Sequence, residues 1–248
     1  MSSVKKVLVS GSSGYVANYI ILALAKKYPQ VAIVGMSRSG KPRTPDIMGN
    51  YPSVEYVKGD CLDPDSFKDV VQDVDAIIHT VGVLIEGSNP KLTYKAMNRD
   101  TCVNMARVLN DFATPEAKRN FAMVSSAKGP PGLPGYLSTK KEAEDFLLNE
   151  CPNLDPYIIR PGFIWNKEHR GWSIPLYYGC EALYQINEKV MKCTGPLGKA
   201  TDFLFPAKPT KLETVGHFMI EAAMGNLDKD QHKMMGPDFL IAHESMAK

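Results

Sequence analysis

The 248-residue sequence contains no Cys-x-x-Cys pair. Its five cysteines, Cys61, Cys102, Cys151, Cys180 and Cys193, are odd in number and far apart. That argues against a disulfide framework or a zinc site and fits a reducing compartment. No stretch approaches the ~18 consecutive apolar residues that a membrane-crossing helix needs. There is no excess of one charge either: 29 Lys and Arg stand against 27 Asp and Glu, a net +2 that gives no reason to expect nucleic acid as a partner. Internal repeats and low-complexity tracts are absent. The five histidines, His79, His169, His217, His232 and His243, show no metal-ligand spacing, so no metal is expected and all five are expected at the surface. The first strand is expected to begin near Val4, which leaves no room for a removable leader.

What is present is a strict alternation of strand-like and helix-like segments. Short β-branched runs at 5–11, 31–38, 54–60, 75–83, 121–127 and 156–163 are separated by helical patterns at 15–29, 64–74, 93–113 and 138–150. In the first helical pattern, Val16, Ile20, Ile21 and Leu24 follow helical spacing and Pro29 closes it. Strand, helix, strand in succession predicts an α/β fold, a doubly wound parallel sheet with right-handed crossovers covered on both faces. The Rossmann dinucleotide-binding fold is the leading expectation. Residues 1–165 form the expected nucleotide-binding core, and 166–248 a smaller substrate-side segment packed on the same domain. The glycine- and proline-rich stretches at 39–53 and 129–135 read as loops.

The first strand-to-helix junction carries Gly11-x-x-Gly14-x-x-Ala17. A turn there aims backbone N–H groups and the positive end of a helix dipole at a pyrophosphate. Glycine permits positive φ and close approach of the phosphate. The end of the second strand selects the nucleotide. A carboxylate would hold the ribose 2′-hydroxyl of NAD, but this chain has Ser37, Arg38 and Lys41 instead. A guanidinium grips a phosphate in a forked geometry, so NADP(H) is the expected cofactor.

The chain has a single Tyr-x-x-x-Lys pair, Tyr136 and Lys140, at the start of the helix after the fifth strand. At i and i+4 the two side chains share a helix face. A tyrosine with an ordinary pKa near 10 must be brought towards 7 to shuttle protons at neutral pH, which takes ~4 kcal/mol of differential stabilisation. A neighbouring lysine ammonium and a nicotinamide cation can supply it. Ser125 and Ser126 end the fifth strand, and a serine hydroxyl there would hold a substrate carbonyl oxygen; Ser126 is the expected one.

In their order along the chain, Gly11/Gly14/Ala17, Ser37-Arg38, Gly59-Asp60, the His79–Gly82 turn, Asn98, the serine pair, Tyr136/Lys140 and "IIRPGF" make the sequence similar to the short-chain dehydrogenase/reductase family, of the extended or atypical kind. The resemblance covers residues 4 to about 165 well and the rest loosely. "SRSGKP", "SSAKGPP", "GYLSTKKEAE" and "RPGFIW" most resemble a mitochondrial atypical branch. That branch includes a fungal reductase-like protein of coenzyme Q biosynthesis and the NADPH-holding 39 kDa accessory subunit of respiratory complex I. The resemblance implies a catalytic set of Tyr136, Lys140, Ser126 and Asn98. It implies cofactor contacts from Gly11, Ser12, Ser13, Gly14, Tyr15 and Val16, from Ser37, Arg38, Asp60 and Cys61, from Thr80, Val81 and Gly82, and from Ser125, Lys140, Pro161, Gly162 and Phe163. Asp60 would touch the adenine, and the Arg160-Pro161-Gly162 turn would lie beside the nicotinamide. The sequence departs from the family in one place: only the short loop "AKGPPGLPG" joins Ser126 to Tyr136.

Beyond Phe163, Trp172, Tyr177, Tyr178 and Tyr184 recur at mostly helical spacing. An amphipathic helix packed on the sheet is the expected reading. Any pocket it lined would be apolar and aromatic, suited to a lipid-like or quinone-like substrate such as a prenylated quinone precursor. Two functions follow. One is an NADP-dependent oxidoreductase acting on a carbonyl or quinone-type intermediate of ubiquinone biosynthesis. The other is a non-catalytic NADPH-holding subunit of a larger mitochondrial assembly. A nucleotide-sugar epimerase or dehydratase shares the extended fold but would call for an acidic selector at the end of the second strand. The resemblance implies a mitochondrial location at the matrix face, with the cytoplasm as the alternative. It leaves room for peripheral membrane contact.

Overall fold

The computed structural model describes residues 4–43, 51, 53–129, 132–168, 171, 173–194, 204–230 and 232–247. His169, Trp172 and parts of both expected loops (44–50, 52, 130 and 131) lie outside the described residues.

The six expected strands form. They are Lys6–Ser10 (β1), Ala32–Ser37 (β2), Val54–Lys58 (β3), Ala76–His79 (β4), Arg119–Val124 (β5) and Leu154–Ile159 (β6). Two short strands, Ile164–Trp165 (β7) and Thr210–Lys211 (β8), pair with each other in parallel. A ninth, Met234–Met235 (β9), joins the main sheet. All pairs in that sheet are parallel, and the order is β3-β2-β1-β4-β5-β6-β9. This is the Rossmann order with a seventh strand added, and the order reverses between β1 and β4. The crevice at their carboxyl ends is where such sheets bind ligands.

The near-continuous apolar runs of β1, β4 and β5 reflect a sheet covered on both faces. One face is covered by Tyr15–Lys27 (α1) and Leu212–Ala223 (α6), around Ile20, Leu24, Phe218 and Met219. The other packs on Lys68–Gln72 (α2), Thr101–Phe112 (α3) and Pro134–Asn149 (α4), around Phe67, Met105, Phe121 and Leu147. Each such fully buried side chain contributes about 1.5–3 kcal/mol relative to exposure. Pro237–Ala242 (α7) follows β9.

Three features differ from the sequence reading. The helix expected over 93–113 opens with a π-helical turn at Lys95–Asp100 before α3 begins. Among the described histidines none is exposed, and His79, in the central strand β4, is 1 % exposed. The aromatic segment after Phe163 is indeed a helix, Ser173–Thr194 (α5), but it leans only lightly on the body. Leu176, Tyr178, Leu183 and Ile186 stay 47–65 % exposed, while Tyr177 stacks on Trp165 at 4.0 Å.

Candidate functional site

The turn after β1 is built as its glycines require. Gly11 has φ +78°, and a Cβ on it would stand 3.0 Å from Thr80 Oγ1 and 3.1 Å from Val81 Cγ2. Gly14 is extended and caps α1 without a side chain, and a Cβ on it would meet Gly11 O at 2.9 Å. Only Gly11, therefore, needs the left-handed region. Gly14 is constrained by its own turn as well as by any ligand. The amides of Gly11 and Ser12 both donate to Met36 O, at 2.9 and 3.0 Å, which ties the turn to β2. Ser12 is fully buried over Gly35, and its hydroxyl has no partner among the described residues. Ser13 is exposed, whereas Tyr15 and Val16 are half-buried in the first turn of α1. That turn carries no acidic residue and no side-chain cap, leaving the positive end of the helix dipole uncovered by carboxylate.

From this turn a cleft of about 540 Å³, open solvent included, runs towards the ends of β2 and β4. Of the residues expected to contact a cofactor, Gly11, Ser13, Ser37, Arg38, Asp60, Cys61 and Val81 line it, together with Met36, Gly59, Leu62, Lys91, Met97 and Thr101. Asp60 accepts the Leu62 N–H through Oδ1 at 3.0 Å. Burial first, and then Asp60, pushes the Cys61 thiol up to about 12, so it lines the cleft as a neutral group. Arg43 adds a cation at the turn by donating to Ser13 O at 3.3 Å. Sequence reasoning missed both Arg43 and Lys91, since neither stands in a recognisable pattern.

The other end of the cleft is a closely bonded cluster. Thr80 Oγ1 donates to Ser10 O at 2.8 Å. Asn98, 0 % exposed and on the π-helical turn, clasps Val83: its Oδ1 accepts the Val83 N–H at 2.8 Å and its Nδ2 donates to Val83 O at 3.1 Å. Gly82 sits in that clasp, where a Cβ would stand 2.9 Å from Asn98 Oδ1 and 3.0 Å from Lys140 Nζ. Lys140 is buried, its ammonium donates to Val124 O at 3.0 Å, and burial pulls its pKa down to about 8. Behind it, His79 Nδ1 lies 2.9 Å from Ser10 Oγ, and burial, with Lys140 adding, drives the imidazole down to about 3.

The short loop keeps serine and tyrosine in register. Ser126 donates to Lys128 O at 2.8 Å, and its hydroxyl stands near enough to Tyr136 to pull the tyrosine hydroxyl down. Ser125 faces elsewhere: its hydroxyl donates to Glu144, which Arg160 grips through both Nε and Nη2. The Tyr136 hydroxyl is not drawn towards neutrality. Burial pushes it above the ordinary tyrosine range, the Ser126 hydroxyl pulls against that, and Tyr94 adds to the rise. Tyr94 meets the Tyr136 ring edge-on at 6.0 Å. Pro161 O accepts the Ala127 N–H at 3.1 Å and Phe163 O the Thr210 N–H at 2.9 Å. Gly162 is fixed by close approach, since a Cβ would stand 2.1 Å from Lys208 O. The Glu144–Arg160 pair was not expected; Glu144 reads in the sequence as one more charge on a polar helix.

A family model described as NAD(P)H-binding matches residues 11–176, more than half of the chain. The chain belongs to this NAD(P)H-binding family. The match begins at the glycine turn and takes in every residue named as lining the cleft. MIOREX complex component 2 of Saccharomyces cerevisiae is 25% identical to this NAD(P)H-binding chain over 235 residues, 76% of this chain and 84% of that protein. NADH dehydrogenase [ubiquinone] 1 alpha subcomplex subunit 9, mitochondrial, of Arabidopsis thaliana is 26% identical over 169 residues, 67% of this chain and 40% of that protein. An oxidoreductase of the short-chain dehydrogenase/reductase family from Burkholderia thailandensis superposes with a TM-score of 0.61 at 15% identity, covering 100% of this chain and 99% of that one, so the fold is shared.

Proposed function

We propose that the chain is an NADP(H)-dependent oxidoreductase of mitochondria, acting on an apolar carbonyl or quinone-type intermediate of ubiquinone biosynthesis. The observation that carries this reading is that Ser126 stands close enough to Tyr136 to act on its hydroxyl, with Lys140 one turn further along α4. When bound, NADPH supplies the hydride. The glycine turn and the uncapped start of α1 would hold its pyrophosphate, and Arg38 its 2′-phosphate. Ser126 would orient the substrate oxygen, and Tyr136 Oη would deliver a proton to it. Lys140 keeps positive charge near the start of α4, and Asn98 fixes the turn at Gly82 and Val83. The exposed apolar side chains of α5 support an apolar substrate.

A second reading, an NADPH-holding subunit of a mitochondrial assembly, is favoured by one observation. Tyr136 is pushed up rather than down, while the Lys140 ammonium is committed to Val124 O. The two relatives whose names make them components of complexes agree with it. Tyr136→Phe separates the two. For an oxidoreductase, NADPH-dependent turnover and ubiquinone production fall 10²–10⁴-fold, about 3–5 kcal/mol, while NADPH affinity survives. Full complementation by Tyr136→Phe, with the exposed Arg38→Ala losing NADPH and failing to complement, would discard turnover in favour of the holding role.

A further inference from the structure

We propose that Lys91 is the second half of a two-walled clamp on the ribose 2′-phosphate, and that with Arg38 it selects NADPH over NADH. This rests on the NADP(H) reading above. Among the described residues, Arg38 and Lys91 are the two cations lining the cleft, one from the end of β2 and the other from the segment after β4. Asp60 is the one carboxylate among the lining residues, and its Oδ1 is engaged by the Leu62 N–H at 3.0 Å. Among the described residues no carboxylate pairs with either cation. The described lining thus carries two cations against one carboxylate, a net positive cleft that suits an anion. A phosphate monoester, close to dianionic at neutral pH with three acceptor oxygens, is such an anion. The 2′-hydroxyl of NADH offers no charge there.

Lys91 is also held ready. Its N–H donates to Asn89 Oδ1 at 2.9 Å, the Leu92 N–H to Asn89 O at 2.8 Å and the Gly87 N–H to Leu92 O at 3.0 Å. The Tyr94 N–H closes the loop on Glu86 Oε1 at 2.7 Å. The side chain therefore springs from a bonded turn, which reduces the ordering cost of binding.

The test measures binding of adenosine 2′,5′-bisphosphate and of 5′-AMP, which differ by the 2′-phosphate alone, to wild type and to Lys91→Gln. Lys91 is exposed, so the substitution leaves the core intact. The expected result is a loss of about ten-fold or more for the bisphosphate and less than two-fold for 5′-AMP. An equal loss for both nucleotides would assign Lys91 to the 5′ side, and no loss for either would make it a bystander. Either result overturns the clamp while leaving NADP(H) binding in place. If wild type itself holds the bisphosphate no better than 5′-AMP, the NADP(H) reading fails first and the clamp with it.

Discussion

The two ends of the cleft are built on opposite plans. At the adenine end, among the described residues, Arg38 and Lys91 line open space with no carboxylate paired to them, and Arg43 donates to the Ser13 carbonyl. At the tyrosine end, nearly every polar group already has a protein partner. Asn98 holds Val83, Lys140 holds Val124, Ser125 holds Glu144, and Ser126 holds Lys128. The first end gains its interactions when an anionic ligand arrives. The second has them beforehand, so disturbing it costs the fold before it costs the ligand.

The largest expected effect comes from Glu144→Ala. Glu144 is 1 % exposed, and its loss takes two charge-assisted hydrogen bonds from the Arg160 guanidinium, whose side chain is 31 % exposed, and the acceptor from the buried Ser125 hydroxyl. Losing these bonds costs about 3 kcal/mol, readable by urea unfolding. Nucleotide affinity of the fraction that remains folded should be unaltered. A loss below about 1 kcal/mol would mean that the inner cluster is no more structural than the outer charges.

Acid supplies the next effect. His79 has a folded pKa of about 3 against an ordinary 6.5, so below pH 6.5 the unfolded chain takes up a proton that the folded chain refuses. Stability from this group is complete above 6.5 and falls by about 1.4 kcal/mol per pH unit towards 3, or about 2.7 kcal/mol between 6.5 and 4.5. His79→Gln should flatten that slope when denaturation midpoints are compared across the same range. An identical slope in the two proteins would place the acid sensitivity elsewhere.

Ser126→Ala is the smallest change and the sharpest probe. It removes the hydrogen bond to Lys128 O, worth about 0.5–1.5 kcal/mol, together with the pull of the serine hydroxyl on Tyr136. Because the serine hydroxyl pulls the Tyr136 hydroxyl down, its removal should move the tyrosine titration further up. Ultraviolet titration of the variant reads this directly, and an unmoved titration would mean that the two hydroxyls do not engage in solution.

Much of this was legible in the residues themselves. The alternation of apolar runs foretold the parallel sheet, because strands buried on both faces and helices buried on one leave different periods in a sequence. Gly11, Arg38, Tyr136 and Lys140 stood out because their positions at strand ends and helix starts give each a separate chemical reason. What stayed hidden was made by packing across long separations. Glu144 meets Arg160 only once α4 lies beside β6, and Lys91 reaches the cleft only because Asn89 and Glu86 fold its loop. His79 looked like a surface residue because one histidine in an apolar run carries no sign of the Ser10 hydroxyl waiting 69 positions away.

The pairing of β9 with β6 also bears on how the molecule is made. Ile158 and Ile159 lie beside Met234 and Met235, so the edge of the sheet stays uncovered until some seventy further residues have left the ribosome. At roughly 5–20 residues per second, that is about 4–14 s during which a nearly complete nucleotide-binding fold presents a bare strand, the kind of edge at which nascent chains stick together. The helix α6, which buries Val215, Phe218 and Met219 on the same side of the sheet, emerges within that interval as well. A chaperone that shields the open edge of β6 would protect the protein for just that span, and a ribosome stalled short of Met234 would release a species prone to aggregate.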